Sequence, residues 1–317
     1  MLAPIILFAY NRPRLAKQTL ASLKANALAK ESELFIFSDG PKKDATPEQI
    51  EKINEVRKVI REEQWCGKVS IIEQAFNKGL AVSVIDGVSE IVEKYGKVIV
   101  VEDDVLLSPY FLHFMNESLE LYADHEEVLS VGSWNYFCKP DLLKEDYFFF
   151  RYPDSIAWAT YARAWKLFEK DPAVALKKLK KTRTLSKFNG DNEALYFEKM
   201  LQMQIEGKIN SWAIRWTATA VLNKKTNIFP KETLSKHIGF GAEATHEKSE
   251  TDYNAQLIPA QRKMNLVKES IPIENEIALE NWKKFIKKNF ITEEPKVKIS
   301  LAKRIVAAIY RRIKKIK

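Results

Sequence analysis

The chain has 317 residues, of which 46% are hydrophobic and 11% aromatic, and this is enough for one large α/β domain with or without an extension. Its two cysteines, Cys66 and Cys138, lie far apart and form no C-x-x-C pair. This argues against a disulfide framework or a zinc knuckle and favours a reducing, cytoplasmic setting. No run of about 18 apolar residues occurs, so the sequence predicts no membrane-spanning helix.

The first 135 residues alternate apolar, strand-like segments with amphipathic, helical segments. Strands are predicted over 4–10, 34–39, 68–74 and 97–104, and helices near 13–29, 47–64 and 79–95. Such alternation predicts βαβ units and a mainly parallel sheet flanked by helices. Ligands of such sheets bind beyond the carboxyl ends of the strands.

Polar residues follow each of the four predicted strands. We therefore expect one edge of the sheet to collect Asn11, Arg12, Asp39, Lys78 and the acidic run Glu102, Asp103 and Asp104.

The acidic run follows a buried strand, where three adjacent carboxylates repel one another and each needs a partner or a proton. A divalent cation, Mn²⁺ or Mg²⁺, would resolve this, and one carboxylate ligand is enough when phosphate oxygens complete the coordination. The sequence has no G-x-x-x-x-G-K-[ST] and no G-x-G-x-x-G motif. The pattern therefore favours a nucleotide-diphosphate substrate over ATPase or dinucleotide chemistry.

The second half is less regular along the chain. Two Trp-rich segments, 154–168 and 211–222, are predicted to be mostly helical, as are 190–207 and 274–289. We predict one continuous domain over 1–270, whose second half (136–270) builds a site against the first half (1–135), and then a helical extension over 271–295.

The net charge of +9 lies entirely in residues 296–317, which hold nine Lys or Arg and no acid and leave 42 basic and 42 acidic residues elsewhere. A neutral body argues against a nucleic-acid-binding face. The segment has an amphipathic helical pattern, with one apolar side formed by Leu301, Ile305, Ile309, Ile313 and Ile316. This is typical of a helix on an anionic membrane, and the alternative is a helix docked on its own domain or in a dimer.

Several segments together resemble nucleotide-sugar glycosyltransferases with the GT-A (Rossmann-like) fold. They are "PIILFAYNRP", "LFIFSDG", "NKGLAVSVIDGV", "VVEDDVLLSPYFLHFMN", "SVGSWNY", "AWATYARAW" and "FPKETLSKHIGFGAEATH". The similarity is greatest to the N-acetylglucosaminyltransferase I type and to bacterial, family 2-like enzymes of surface-polysaccharide assembly. It covers roughly residues 3–250.

The resemblance implies a role for each matching residue. Asp104 corresponds to the metal-binding acid, and His246 to a histidine at the metal or the diphosphate. The remaining donor-site residues are Glu102 and Asp103 at the ribose and donor sugar, Arg12 with its neighbour Asn11 near the diphosphate, Lys78, and Asp39 at the uracil ring. His237 is more typical of a structural hydrogen bond, with a place beside the metal as the alternative.

An inverting transferase needs a base that takes the proton of the acceptor hydroxyl. The stretch "SWAIRW" has Ala213 and Ile214 where the related enzymes carry an acid beside a Trp. The remaining candidates for the base are Asp191, Glu193 and Glu206, each of which also fits a solvated or helix-start acid. Trp158 and Trp212 are the candidates for stacking on a sugar or acceptor ring.

The sequence thus predicts a metal-dependent hexosyl- or N-acetylhexosaminyl-transferase. It would move a sugar from a UDP-sugar to a lipid-linked or cell-surface glycan, at the inner face of the cell membrane. Inversion is the expected outcome, and the missing base leaves a retaining stereochemistry as the alternative. The alternative is a membrane-tethered, non-catalytic protein that binds nucleotide sugars. A nucleotidyltransferase is disfavoured, because the first strand is not followed by a glycine- and arginine-rich signature.

Overall fold

A computed structural model of the chain describes residues 1–192, 196–240, 252–268 and 271–289. The strands are β1 Ile5–Ala9, β2 Glu33–Ser38, β3 Lys68–Glu73, β4 Lys97–Glu102, β5 Val105–Leu107, β6 Val128–Gly132, β7 Tyr147–Phe150, β8 Ala157–Tyr161, β9 Thr226–Pro230 and β10 Ser235–His237. The helices are α1 Pro13–Lys24, α2 Pro47–Val59, α3 Leu80–Tyr95, α4 Phe111–Leu121, α5 Ala162–Trp165, α6 Pro172–Lys181, α7 Leu185–Phe188, α8 Tyr196–Ile205, α9 Trp212–Leu222, α10 Asp252–Ala255 and α11 Glu276–Asn289.

Eight of the strands form one sheet in the order β3-β2-β1-β4-β8-β6-β9-β7. The β3, β2, β1 and β4 strands are parallel to one another, and β6 is parallel to β9. The β8 strand runs antiparallel to β4 and β6, and β7 runs antiparallel to β9. A second, two-stranded sheet pairs β10 with β5. The expected parallel arrangement therefore holds for the first half, and the later strands extend the same sheet in mixed orientation.

Local signals explain why the first-half elements form where the sequence predicts them. The Thr46 hydroxyl accepts a hydrogen bond from the Gln49 N–H, and the Thr46 N–H donates to Gln49 Oε1, which completes a capping box at the start of α2 before Pro47. The α3 helix ends at Gly96, which adopts a left-handed conformation with φ of 78°.

The prediction for residues 154–168 is wrong in part, because β8 occupies the middle of this segment. All five residues of β8 are buried, between β4 on one side and β6 on the other. A strand covered on both faces loses the polar–apolar alternation that marks a half-exposed strand, so its sequence is easily taken for a buried helix.

The predicted helix over 190–207 begins later than expected, because α8 starts at Tyr196. Gly190, Asp191 and Asn192 all have positive φ, of 61°, 56° and 77°. Consecutive left-handed residues form a turn, and a right-handed helix cannot pass through them.

The apolar interior comprises two clusters. The larger one covers both faces of β1, β2 and β4 and includes Trp158 and Trp216. The smaller one lies under β7, α6 and α9, and α11 closes it with Trp282, whose ring lies 4.7 Å from that of Tyr152. The region predicted as a helical extension therefore contributes α11 to the core.

In the described part of the chain, no helix is both long and apolar enough to cross a membrane. Cys66 and Cys138 are buried and unpaired with one another. The predicted basic helix, 296–317, lies outside the described residues.

The Asp146 carboxylate clamps the 262–265 segment to the start of β7. It accepts hydrogen bonds from both terminal nitrogens of Arg262, each at 2.8 Å, and from the Asn265 N–H at 2.9 Å. These donors lower the pKa of Asp146 to about 2. Because the folded-state pKa lies below the unfolded value, the resulting stability is present above about pH 4 and is lost as the pH falls through about 2.

We expect Asp146→Asn to lower the free energy of unfolding by about 1 kcal/mol at pH 6, a value reduced for the half-exposed arginine. The deficit should shrink toward zero near pH 2. Urea unfolding across this pH range tests it, with Asp141→Asn, an exposed acid in the preceding turn, as the control. An equal deficit at both pH values would contradict the assignment.

Candidate active site

The acidic run lies where β1 and β4 end side by side. Phe8 pairs with Glu102 in parallel register, so the loop after β1 and the Asp103-Asp104 turn after β4 share one edge of the sheet. The Tyr10 N–H donates to Asp103 Oδ2 at 3.3 Å. The convergence expected for the first and fourth strand ends is present.

Arg12 bridges the two aspartates. Its side chain reaches back from the start of α1, with Nη2 at 2.5 Å from Asp103 Oδ1 and Nη1 at 2.6 Å from Asp104 Oδ2. Both carboxylates are almost fully buried, whereas the guanidinium keeps a small exposed fraction. One cation therefore neutralises part of the acidic run from within the chain.

A strand from the second half of the chain completes this edge. The β5 strand follows Asp104 directly and pairs antiparallel with β10, which places His237 opposite Val105. The His237 Nε2–H donates to Asp104 Oδ2 at 3.1 Å. Thr19 and Ser22 of α1 accept from the Val105 and Leu107 N–H groups and hold β5 on its other edge.

Gly239 lies against the Asp104 carboxylate. A Cβ atom built at this position would be 2.0 Å from Asp104 Oδ2, so no larger residue fits without displacing the acid. The close approach explains a glycine two residues after His237 in "HIGFG".

The three acids differ in protonation. Burial and the neighbouring aspartates raise the pKa of Glu102 well above its usual range. Burial raises the pKa of Asp103 to about 6, although Arg12 opposes the shift. The hydrogen bond from His237 and the charge of Arg12 outweigh burial and hold the pKa of Asp104 below its usual range. Burial and like charges therefore favour the protonated form of Glu102, whereas its donors favour the ionised form of Asp104, and this difference reduces the repulsion among the three adjacent acids.

Asp39, expected at the uracil ring, is surrounded by donors of its own chain. Its Oδ1 accepts from the Gly40 and Lys78 N–H groups at 2.9 Å each, and its Oδ2 accepts from Asn77 Nδ2 at 2.9 Å and the Gly79 N–H at 3.0 Å. Four donors fill the four acceptor positions of a carboxylate. As placed, Asp39 organises the loop before α3 and has no acceptor left for a base, which differs from the predicted role.

The other two predicted donor-site residues lie in the loops at the same edge. Lys78 packs beside Asp39, and its Nζ lies 3.5 Å from Asp86 Oδ2. A cavity of about 60 Å³ between β2, β3 and α3 is lined by Asp39, Lys78 and Ser83 among others. The Ser83 hydroxyl is buried without a hydrogen-bond partner among the described residues. Asn11 precedes Arg12 in the loop after β1.

Asp104 and His237 suit a divalent cation that also binds phosphate. Asp104 Oδ1 is buried and has no hydrogen-bond partner in the described part of the chain, so it is an acceptor that lacks a cation or donor. A carboxylate and an imidazole are ligands that Mn²⁺ accepts. Among the described residues, no group of three or more His, Cys, Asp or Glu side chains is arranged for a metal. His246, the predicted partner of Asp104, lies outside the described residues.

The sequence profile of glycosyl transferase family 2 matches residues 5–168, which span β1 to the segment after α5 and include the whole acidic run. The chain belongs to glycosyl transferase family 2. Its sheet order, with the acidic run at the end of β4, is the GT-A arrangement expected from the sequence. No curated protein matches the sequence significantly.

Solved structures with similar folds include two of TarS from S. aureus. The match to one of them covers 43% of this chain at 12% identity and a TM-score of 0.27, and this chain spans only 26% of the length of that TarS chain. The other, TarS 1-349, covers 74% of this chain and 59% of its own length at 13% identity and a TM-score of 0.38. UDP-glucose pyrophosphorylase complexed with UDP-glucose covers 73% of this chain and 90% of its own length, at 12% identity and a TM-score of 0.36. At these values none of the likenesses bears on activity.

Trp158 and Trp212 of this family 2 member lie in the core, which differs from their predicted stacking role. Their rings stack on each other with centroids 5.1 Å apart, and the two residues are 0% and 4% exposed. Trp165 and Trp216 pack around the same pair. Neither Trp158 nor Trp212 presents a free face to a sugar.

The two candidate bases that the structure describes, Asp191 and Glu206, are ion-paired with lysine or arginine side chains. Asp191 accepts from Arg151 at 3.2 Å and pairs with Lys283 at 3.0 Å, and these cations lower its pKa. Glu206 is exposed on the turn after α8, where Lys208 and Gln202 lower its pKa. A general base works best with a pKa near the working pH, so both acids are shifted the wrong way. Glu193 lies outside the described residues.

Sequence reasoning missed one buried acid near the site. Asp154 accepts hydrogen bonds from the Ser133, Trp134, Ser155 and Ile156 N–H groups. Burial raises its pKa against these bonds, and its charge contributes to the raised pKa of Glu102. It holds the 133–134 and 154–156 turns together beside β4, since the Ile156 carbonyl accepts from the Glu102 N–H. The sequence signal that could have pointed to this turn is the Asp154-Ser155 pair before the buried strand β8.

Proposed function

We propose that this family 2 glycosyltransferase moves a hexosyl or N-acetylhexosaminyl group, with inversion, from a UDP-sugar to a lipid-linked or cell-surface glycan. The observation that carries the proposal is the site in which β10 delivers His237 to Asp104, beside an arginine that already pairs with two buried acids. A nucleoside diphosphate is the ligand that needs both a cation site and a fixed guanidinium.

We propose Asp104 and His237 as the protein ligands of Mn²⁺ or Mg²⁺. A cation at this position would neutralise charge on the departing diphosphate. His237 would have to give up the Nε2 proton that it now donates to Asp104 and keep its proton on Nδ1.

The chain's own groups have separate tasks in this proposal. The Arg12 guanidinium, held at the mouth of the site with a small exposed fraction, binds diphosphate oxygens. Asp103 and Glu102 contact hydroxyls of the ribose or donor sugar. The loop organised by Asp39, together with the Ser83 hydroxyl, is where we place the base of the nucleotide.

The second candidate is a non-catalytic, membrane-tethered protein that binds nucleotide sugars. It is favoured by one observation, namely that the described candidates for the base, Asp191 and Glu206, are ion-paired away from the acidic run. The two candidates predict the same donor binding and differ in turnover.

Calorimetric titration with UDP, UDP-sugars and GDP, with Mn²⁺ and with EDTA, tests the donor and the cation together. We expect UDP and its sugars to bind with Mn²⁺, and the affinity to fall at least about tenfold in EDTA. His237→Ala should weaken Mn²⁺ binding by about tenfold or more, whereas His125→Ala, a histidine packed on Tyr122, should not.

Release of UDP separates the two candidate functions. Turnover with a glycan acceptor, and a change of anomeric configuration seen by proton NMR, would support the transferase. Binding without turnover across donors and acceptors would favour the binding protein, and a preference for GDP would contradict the uridine assignment.

A further inference from the structure

Four branched apolar side chains are exposed along the segment that leads into α11. Val267 is 60% exposed, Ile271 and Ile273 are 67% each, and Ile277 is 48%. We call these four residues the apolar stripe. Exposed side chains of this size, grouped within eleven residues, are a marker of an interaction surface.

The backbone that carries the stripe is anchored to β7, the edge strand of the large sheet. The Tyr147 hydroxyl donates to the Val267 carbonyl, and the Asn275 N–H donates to the Phe149 carbonyl at 2.9 Å. Glu274 accepts from Arg151 Nε and Nη2, each at 2.7 Å. The anchors at Val267 and at Glu274 and Asn275 lie on either side of Ile271 and Ile273. The stripe is therefore held against the folded domain.

The surroundings of the stripe become increasingly cationic toward the end of the chain. Glu276 and Glu280 lie in the first half of α11, and Glu280 pairs with Lys283 at 2.9 Å. The last turns expose Lys284, Lys287 and Lys288. In the sequence, six residues separate the end of α11 from the 296–317 segment, which holds nine Lys or Arg and no acid.

Electrostatic repulsion and attraction distinguish three possible partners of the stripe, namely the 296–317 segment, a second copy of the chain and an anionic bilayer. If the 296–317 segment covered it, nine more cations would be brought to the lysine end of α11, and a two-fold contact with a second copy would bring both lysine rows and both basic segments together. An anionic bilayer attracts all of these cations and accepts isoleucine side chains at the boundary of its acyl chains.

We propose that the apolar stripe is a membrane-contact surface, which inserts into an anionic bilayer and fixes the orientation of the catalytic body. The 296–317 segment supplies attraction, and the stripe supplies a second, oriented contact. This inference rests on the proposed membrane-associated acceptor.

A fluorescent probe at position 273 tests the contact in the full-length chain. Ile273→Cys is labelled with nitrobenzoxadiazole, and the buried Cys66 and Cys138 do not compete for the label. The matched control is Ile50→Cys. Ile50 is 40% exposed on α2, which pairs with β3 at the opposite edge of the sheet through Arg57 and Glu73 at 3.6 Å.

With phosphatidylcholine–phosphatidylglycerol vesicles we expect the probe at 273 to brighten roughly twofold or more and to be quenched by spin-labelled acyl chains, with no change at position 50. In co-sedimentation, the Ile271→Ser/Ile273→Ser double variant should bind these vesicles about tenfold more weakly than the wild type, and Ile50→Ser should bind them as the wild type does. Vesicles of phosphatidylcholine alone should produce neither effect.

The possible results separate this inference from the proposed function. Binding of the chain to vesicles with no change at position 273 overturns the stripe alone, and absence of vesicle binding overturns both the stripe and the membrane-associated acceptor. Insertion of the probe without UDP-sugar turnover supports the stripe and contradicts the transferase.

A probe at 273 that is shielded before vesicles are added also overturns the inference. If serine substitutions at Arg311, Arg312, Lys314 and Lys315 relieved the shielding, the occupant would be the chain's own basic segment. If dilution relieved it, the occupant would be a second copy.

Discussion

Asp104→Asn is expected to lower the rate of UDP release from a UDP-sugar with Mn²⁺ by about 100-fold or more. Asn keeps the shape of the side chain but removes the charge of the one acid in the run whose pKa is held below its usual range. It also weakens both the Arg12 and the His237 contacts to Oδ2. A single-turnover assay with saturating donor separates the loss of rate from a loss of binding.

Asp103→Asn is the matched control, because Asp103 pairs with the same arginine and is equally buried. We expect Asp103→Asn to weaken donor binding but to leave Mn²⁺ affinity within about threefold, whereas Asp104→Asn should abolish high-affinity Mn²⁺ binding. Equal effects of the two variants on Mn²⁺ affinity would contradict the assignment of the cation to Asp104.

Arg12→Met is expected to lower the free energy of unfolding by about 3 kcal/mol near pH 7.5, because it leaves two buried carboxylates without their counter-charge. The methionine keeps much of the volume, so the loss reports charge more than packing. Guanidinium unfolding in EDTA measures it, and Arg14→Met, an exposed neighbour on α1, is the control.

The deficit should depend on pH with a definite sign. Arg12 lowers the pKa of both Asp103 and Asp104, whereas burial raises it. Removing Arg12 therefore raises the pKa of both aspartates. A carboxyl whose folded pKa exceeds its unfolded value costs stability as the pH rises through the folded pKa. The Arg12→Met deficit should therefore be smaller at pH 5 than at pH 7.5. An equal deficit at the two pH values would show that Arg12 acts by packing alone, and a deficit that grows on acidification would contradict the electrostatic role.

Sequence patterning predicted the first half of the fold well. Each βαβ unit there carries its own signals: apolar runs for β1 to β4, a capping box at Thr46 and a terminating glycine at Gly96. The second half was harder, because β8 is buried on both faces and Asp191 and Asn192 sit in a left-handed turn, and neither feature produces a regular period.

The candidate site was predictable in part for the same reason. Asp103, Asp104 and Arg12 follow parallel strands that are neighbours, so the order of strands alone places them together. The sequence offered a place beside the metal for His237 only as an alternative, because His237 reaches Asp104 through the pairing of β10 with β5, across more than 130 residues of sequence. The roles given to Asp39 and Trp158 changed because burial and internal hydrogen bonds occupy their side chains.

The amino-acid sequence by itself determined the βαβ framework, the acidic edge and the concentration of charge in 296–317, since each follows from local periodicity and composition. Only the tertiary structure decided which histidine meets Asp104, which acids are ion-paired elsewhere, and where the apolar stripe lies. These are outcomes of long-range strand pairing and burial, which depend on the whole chain and leave no local pattern.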